Sequence, residues 1–214
     1  MRVLLVDDHV IVRQGIRALL ETKALLKVVG EAADGREAVA MTGKLKPDLV
    51  IIDIAMPHLN GLEALVQLKN DYPQVKVIVL SMHVEENYVT RALRYGAAGF
   101  VYKGSAFDDL ELAMKAAVKD ETFLSAAVSK VLVNGLLQTT REPGNEEKLS
   151  LLSPREREIM QLIAEGQTRI AIAGILSISV KTVDRHKENL KDKLKVKDIG
   201  EITAMAKRYG LTGL

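Results

Sequence analysis

The chain has 214 residues, 48% of them hydrophobic and 27% charged, an ordinary globular composition with room for one large domain or two small ones. It has no cysteine, which excludes a disulfide framework and thiolate metal centres and fits a reducing cytosol. No apolar run approaches the roughly 18 residues of a membrane span, and the acids in MRVLLVDD argue against a secretory leader; a cytoplasmic protein is expected. The net charge of +2 hides an asymmetry. From Lys148 onward 13 Lys/Arg stand against 8 Asp/Glu, a net of +5, whereas residues 1–147 carry a net of −3. Such asymmetry leads us to expect an acidic module joined to one that meets a polyanion.

VLLV (3–6) is a short apolar run, and Val12, Ile16, Leu19 and Leu20 recur at helical spacing over 10–20. KVVGEA (27–32) reads as a second strand, and Asp34-Gly35 turns into a helix through Ala38, Val39 and Met41. LVIID (49–53) is a strand, and Gly61 opens a helix through Leu62, Leu65 and Leu68. VKVIVL (75–80) is a strand, 86–95 a helix, GFVY (99–102) a strand and 107–119 a helix. Five repeats of strand then helix predict a five-stranded parallel sheet with helices on both faces. Strands buried on both faces read as continuous apolar runs, as these do.

TTREPGNEEK (139–148) is polar, contains Pro-Gly and reads as a linker. Beyond it no strand-like run remains. Ser153-Pro154-Arg155-Glu156 fits a capping box with proline at the first helical position. Helices are expected at about 153–165, 168–176, 180–194 and 198–209, and the short links between the first three match a helix-turn-helix. Residues 1–121 are thus expected to form an α/β domain, 122–148 a connecting helix and linker, and 149–214 a small all-α four-helix domain.

In an open parallel sheet, ligands bind outside the carboxyl ends of the strands. Asp7 and Asp8 end the first strand, and Asp53 ends the third. With those strands adjacent, three carboxylates converge, and their repulsion calls for a cation or protons. A hard divalent ion such as Mg²⁺ suits oxygen ligands, and a carboxylate beside it can attack phosphorus to form an aspartyl phosphate. Ser81, ending the fourth strand, can donate a hydroxyl hydrogen bond to a phosphoryl oxygen; Lys103, ending the fifth, can supply a point positive charge. Taken singly, Asp7-Asp8 reads as a helix cap, Asp53 as a loop acid, Ser81 as a turn residue and Lys103 as a solvated lysine. Their joint placement at strand ends carries the argument. His9 reads as a capping neighbour and His83 as a loop residue.

The segments LLVDDH, IIDIAMPHLNG, VLSMH and AAGFVYKG resemble a response-regulator receiver domain, a doubly wound, flavodoxin-like fold. The resemblance implies that Asp53 is the phospho-acceptor and that Asp8, Asp53 and the backbone carbonyl of Ala55 bind Mg²⁺ or Mn²⁺, with Asp7 acting through water. It implies that Ser81 and Phe100 are a switch pair and that Lys103 pairs with the phosphoryl group. Gly104 stands where the family often has proline, so a trans 103–104 peptide is expected. A haloacid-dehalogenase-like phosphatase also uses an aspartate and Mg²⁺, but needs a second acid two residues on, where this chain has Ala55. The chain is therefore expected to accept a phosphoryl group and release it slowly, not to turn over a substrate. A receiver fold that never takes phosphate is the remaining alternative.

KTVDRHKENLKDKLKVK (181–197) holds seven Lys/Arg and three acids. At about 100° per residue, Val183, Leu190 and Leu194 share one face with His186 on its flank, and Lys181, Arg185, Glu188 and Asp192 fall opposite. Ser179 is an expected N-cap, leaving helix N–H groups for an anion. In a helix-turn-helix such a second helix enters the major groove. The segments LSPREREIMQLIAEGQT and ISVKTVDRHKENLKDKLKV, with the helix near Ile202–Tyr209, resemble the LuxR-type effector domain of NarL/FixJ response regulators. On that resemblance Asp184, Arg185 and Glu188 face bases, and Lys181, Thr182, Lys191, Thr168 and Arg169 hold phosphates. Arg169-Ile170-Ala171-Ile172-Ala173 stands where the family commonly has Asn-Lys-Glu-Ile-Ala. The implied partners are a sensor histidine kinase, double-stranded DNA and, after phosphorylation, a second copy of the chain, with no membrane. Either the fourth and fifth helices with the fifth strand, or the first and fifth helices, would carry the dimer contact.

Overall fold

The computed structural model describes residues 1–23, 26–105, 107–137, 149 and 151–211. The chain divides into two compact units. The first holds β1 (Arg2–Val6), α1 (Val10–Glu21), β2 (Lys27–Ala32), α2 (Gly35–Leu45), β3 (Leu49–Ile52), α3 (Gly61–Asp71), β4 (Lys76–Ser81), α4 (Glu86–Arg94), β5 (Gly99–Tyr102), α5 (Phe107–Val118), β6 (Phe123–Leu124) and α6 (Ala126–Leu137). The second holds α7 (Pro154–Ala164), α8 (Arg169–Leu176), α9 (Val180–Leu194) and α10 (Ile199–Arg208). The predicted linker, 139–148, lies outside the described residues.

In the first unit the strands run in the order β2-β1-β3-β4-β5-β6, every pair parallel. The order places β1 directly beside β3, as convergence of the acids requires. Alternate side chains of each strand point to opposite faces. Val3, Leu5, Leu49, Ile51, Ile78, Leu80 and Val101 pack with Leu20 of α1 and with Leu110, Ala113 and Met114 of α5. Leu4, Val50, Ile52, Val77, Val79 and Phe100 are buried too, as are Leu62, Leu65 and Leu68 of α3 and Val89 and Ala92 of α4. Local chemistry sets the helix starts. Asp34 accepts from the N–H groups of Arg36 and Glu37, and Asn60 accepts from Glu63 N–H at 3.0 Å. No described peptide bond is cis.

The sequence predicts five strands, and the sheet has a sixth. β6 is two residues long, too short for a periodic signal, and pairs Phe123 with Gly99 and Leu124 with Phe100. It lies within the predicted connecting segment. The buried Ser125 fastens this segment to β5: its N–H donates to the Phe100 carbonyl at 3.1 Å, and its Oγ accepts from Tyr102 N–H at 3.2 Å. α6 then packs against α4 and β5.

In the second unit Ser153 forms the expected capping box, accepting from Glu156 N–H at 3.2 Å while the Glu156 carboxylate accepts from Ser153 N–H at 2.8 Å. The core joins Ile159, Met160 and Leu162 of α7, Ile172 of α8, Val183, Leu190 and Leu194 of α9 and Ile202 and Ala206 of α10. Lys193 of α9 reaches the buried Glu156 at 2.7 Å. Full burial of each large apolar side chain contributes about 1.5–3 kcal/mol. Between α8 and α9 the chain turns through Ser177 in the left-handed region (φ 51°) and restarts at Ser179, whose side chain accepts from Thr182 N–H.

Candidate functional site

The carboxyl ends of β1, β3, β4 and β5 gather Asp7, Asp8, Asp53, Ser81 and Lys103 at one edge of the sheet. One carboxylate oxygen each of Asp7, Asp8 and Asp53, with a ring nitrogen of His9, all lie within 4.8 Å of one another. Asp7 and Asp53 are buried at 3% and 4% exposure, whereas Asp8 is half-exposed. Lys103 Nζ stands 2.6 Å from Oδ2 of both Asp7 and Asp53, so one ammonium binds two of the three acids. Asp53 Oδ1 accepts from Ile54 N–H at 2.7 Å. Ser81 is fully buried; its Oγ accepts from His83 N–H at 3.1 Å, and its carbonyl accepts from Lys103 N–H at 2.8 Å. Phe100 is fully buried on β5, where its backbone pairs with Val79.

Burial pushes the Asp53 carboxyl above its usual value; the charge and hydrogen bond of Lys103 pull it back, and Asp7 adds to the rise. Burial works against the Lys103 ammonium, but Asp53 and Asp7 outweigh it and hold it above the usual lysine value. One ammonium against three carboxylates leaves an excess of negative charge on hard oxygen donors, which suits a small divalent cation. The residues therefore fit the ion that the resemblance implies.

Two contributors escape a reading by residue type. Gly61 begins α3 where the helix meets the end of β3: a Cβ there would fall 1.9 Å from the Asp53 carbonyl oxygen. Only glycine allows this approach, and Gly61 N–H donates to the Ile54 carbonyl at 3.0 Å. The glycine itself is visible in the sequence, but its neighbour is not. His9, expected only as a capping neighbour, occupies the N-cap position without a side-chain cap; its Nδ1 lies 2.7 Å from Asp8 Oδ1 and 3.3 Å from Asp7 Oδ1. His83 sits in the loop after β4, its ring centroid 5.7 Å from that of Tyr88.

In the second unit α9 presents the predicted outer face, with Lys181, Arg185, Glu188 and Asp192 all exposed, while His186 is half-buried on the flank of the packed face. Thr168 caps α8, accepting from Ala171 N–H at 3.2 Å. Thr182 Oγ1 lies 2.8 Å from Ser179 Oγ. The resemblance assigns Asp184 and Glu188 to bases and Arg169 and Lys191 to phosphates; the fold pairs them across that division. Arg169 lies 3.6 Å from Asp184, and Lys191 lies 3.0 Å from Glu188. Surface pairs of this kind are worth little. Ile170, beside Arg169, is 71% exposed, so the apolar departure from the family pattern lies on the surface. Among the described residues no helix is long and apolar enough to cross a membrane.

The family described as "Response regulator receiver domain" matches residues 3–115, and that described as "Bacterial regulatory proteins, luxR family" matches residues 150–206. The chain is 36% identical over 211 residues to the response regulator protein VraR of Staphylococcus aureus (strain NCTC 8325 / PS 47), covering 99% of this chain and 98% of that one. Among solved structures it resembles RcsB from Salmonella enterica serovar Typhimurium bound to promoter P1flhDC in the presence of the phosphomimetic BeF3−. That match has a TM-score of 0.61 and 30% identity and covers 99% of each chain. It also resembles RcsB in a structure of two dimers bound to two parallel DNAs, with TM-score 0.60, 30% identity and coverage of 97% of this chain and 98% of that one.

Proposed function

Because this chain belongs to the response regulators that join a receiver domain to a LuxR-type DNA-binding domain, we propose that a phosphoryl group placed on Asp53 by a sensor histidine kinase controls its dimerisation and its sequence-specific binding to DNA, and thereby transcription. Residues 1–121 carry the phosphoryl chemistry, 122–148 connect, and 149–214 bind DNA. The observation that carries this reading is the buried Asp53 bonded to Lys103 beside Asp7 and Asp8. A carboxylate oxygen of Asp53 bonds to phosphorus as the bond from phosphorus to the donor's leaving group breaks. Lys103, already bridging Asp7 and Asp53, pairs with the transferred oxygens, and Ser81 donates a hydroxyl hydrogen bond to one of them. Asp8, Asp53 and the Ala55 carbonyl would hold Mg²⁺ or Mn²⁺, with Asp7 acting through water, and the ion would neutralise charge on the phosphoryl oxygens. The chain accepts phosphate once and releases it slowly, without turning over a substrate, and works in the cytoplasm.

Movement of Ser81 and Phe100 biases a two-state surface. Of the two faces considered, the one made by α4, β5 and α5 is partly covered by β6 and α6, whereas α1 and α5 expose Val10, Ile11 and Leu112; the latter face receives the second copy. In the dimer two α9 helices meet half-sites about one helical turn apart. Asp184, Arg185 and Glu188 face bases, while Thr168, Arg169, Lys181, Thr182 and Lys191 hold phosphates. RcsB, bound as dimers to DNA in the solved structure, supports DNA binding by a dimer. The test is labelling with a small-molecule phosphodonor and Mg²⁺, read by intact mass. One phosphoryl group on the wild type and none on Asp53→Ala is expected; equal label on both rejects Asp53 as acceptor.

A further inference from the structure

Arg13 of α1 lies beneath the acid pocket with its side chain 13% exposed. It donates through Nη1 to the backbone carbonyl of Asp7, and through Nε to Glu31 Oε2 of β2 at 3.2 Å. The other oxygen of Glu31 accepts from Arg17 at 2.9 Å. Arg13, Asp7 and Asp53 also line one small cavity of about 10 Å³.

The Asp7–Asp8 peptide begins the loop that carries the half-exposed acid of the pocket. β2 holds Asp7 from one side, where its N–H donates to the Ala32 carbonyl at 3.1 Å. Its own carbonyl lies beyond the end of β1, and Arg13 supplies the donor there. The orientation of this peptide sets the direction in which Asp8 leaves the chain. We propose that Arg13 is a positioning residue for the divalent-cation site: its rigid fork, spanning the Asp7 carbonyl and Glu31, fixes the 7–8 peptide so that Asp8 faces Asp53. Arg13 touches neither cation nor phosphoryl group. The inference rests on the Mg²⁺ reading above. Lysine would keep the charge but lose the fork, and outer partners of metal ligands typically account for about 10–100-fold in metal affinity.

Mg²⁺ titrated calorimetrically into the full chain tests it, using wild type, Asp8→Asn, Arg13→Lys and Arg17→Ala. The wild type is expected to bind and Asp8→Asn to lose binding; no heat from the wild type would sink the Mg²⁺ reading itself. Arg13→Lys is expected to bind at least about 10-fold more weakly while its metal-free melting midpoint stays near wild type. Arg17→Ala, which removes the outer partner of Glu31 and its pair with Glu21 but leaves Arg13 in place, is expected to bind as wild type. Wild-type affinity in Arg13→Lys, or an equal loss in Arg17→Ala, overturns the positioning role. Should Arg13→Lys fail to fold, Glu31→Gln takes its place: loss of the same order supports the role, and wild-type affinity overturns it.

Discussion

At the scale of single residues, the pocket depends on an acid that burial makes reluctant to ionise and a lysine held charged by its neighbours. Its placement depends equally on a residue with no side chain. Replacing Gly61 by alanine sets a Cβ 1.9 Å from the carbonyl oxygen of Asp53, and backbone on both sides must shift. Overpacking of this kind typically costs about 1–3 kcal/mol. Gly61→Ala is predicted to lower the urea midpoint accordingly and to slow phosphodonor labelling of Asp53; labelling at the wild-type rate would show that the close approach is irrelevant to the acceptor. The acids and lysine were legible in the sequence because each is a polar residue ending an apolar run. The contacts of Gly61 with Asp53 and of Arg13 with Asp7 were not, because spacing along a chain does not reveal which backbone atoms meet.

At the scale of elements, helices are tied to one another by charges of unequal worth. Glu111 of α5 is held down to about 2 by Lys115 and then by Lys23 at the end of α1. A depressed carboxylate adds stability above its unfolded value and loses it as pH falls. Any advantage of wild type over Glu111→Gln in thermal midpoint should therefore hold at neutral pH and shrink as pH falls from 4.5 to about 2; an advantage that persists at the acid end would contradict the assignment. On α9, Arg185 is exposed without an ion pair among the described residues, whereas Lys191 bonds Glu188. Arg185→Ala is predicted to relax base preference, with a cost at its preferred base of about 1–3 kcal/mol. Lys191→Ala is predicted to weaken binding to all sequences alike. Competition binding with cognate and shuffled DNA separates the two, and an unchanged preferred site in Arg185→Ala would remove it from the base readers. The helices were legible from caps and apolar period. The two-residue β6 was not, because its strand character comes from pairing with β5 rather than from its own pattern.

At the scale of the whole molecule, the chain joins a phosphoryl-accepting unit of net negative charge to a helical unit of net positive charge. Ser125 bonds Phe100 and Tyr102 of β5 just before α6. The asymmetry of charge and the change from strand-helix alternation to helices alone make this organisation legible in the sequence. The central claim is that phosphate on Asp53 governs DNA binding. Its most direct measurement is DNA affinity at fixed salt, with Mg²⁺, with and without a small-molecule phosphodonor, for wild type and Asp53→Ala. The account predicts tighter, dimeric binding on phosphodonor addition for wild type and no response in Asp53→Ala; affinity indifferent to both the donor and the substitution would contradict it.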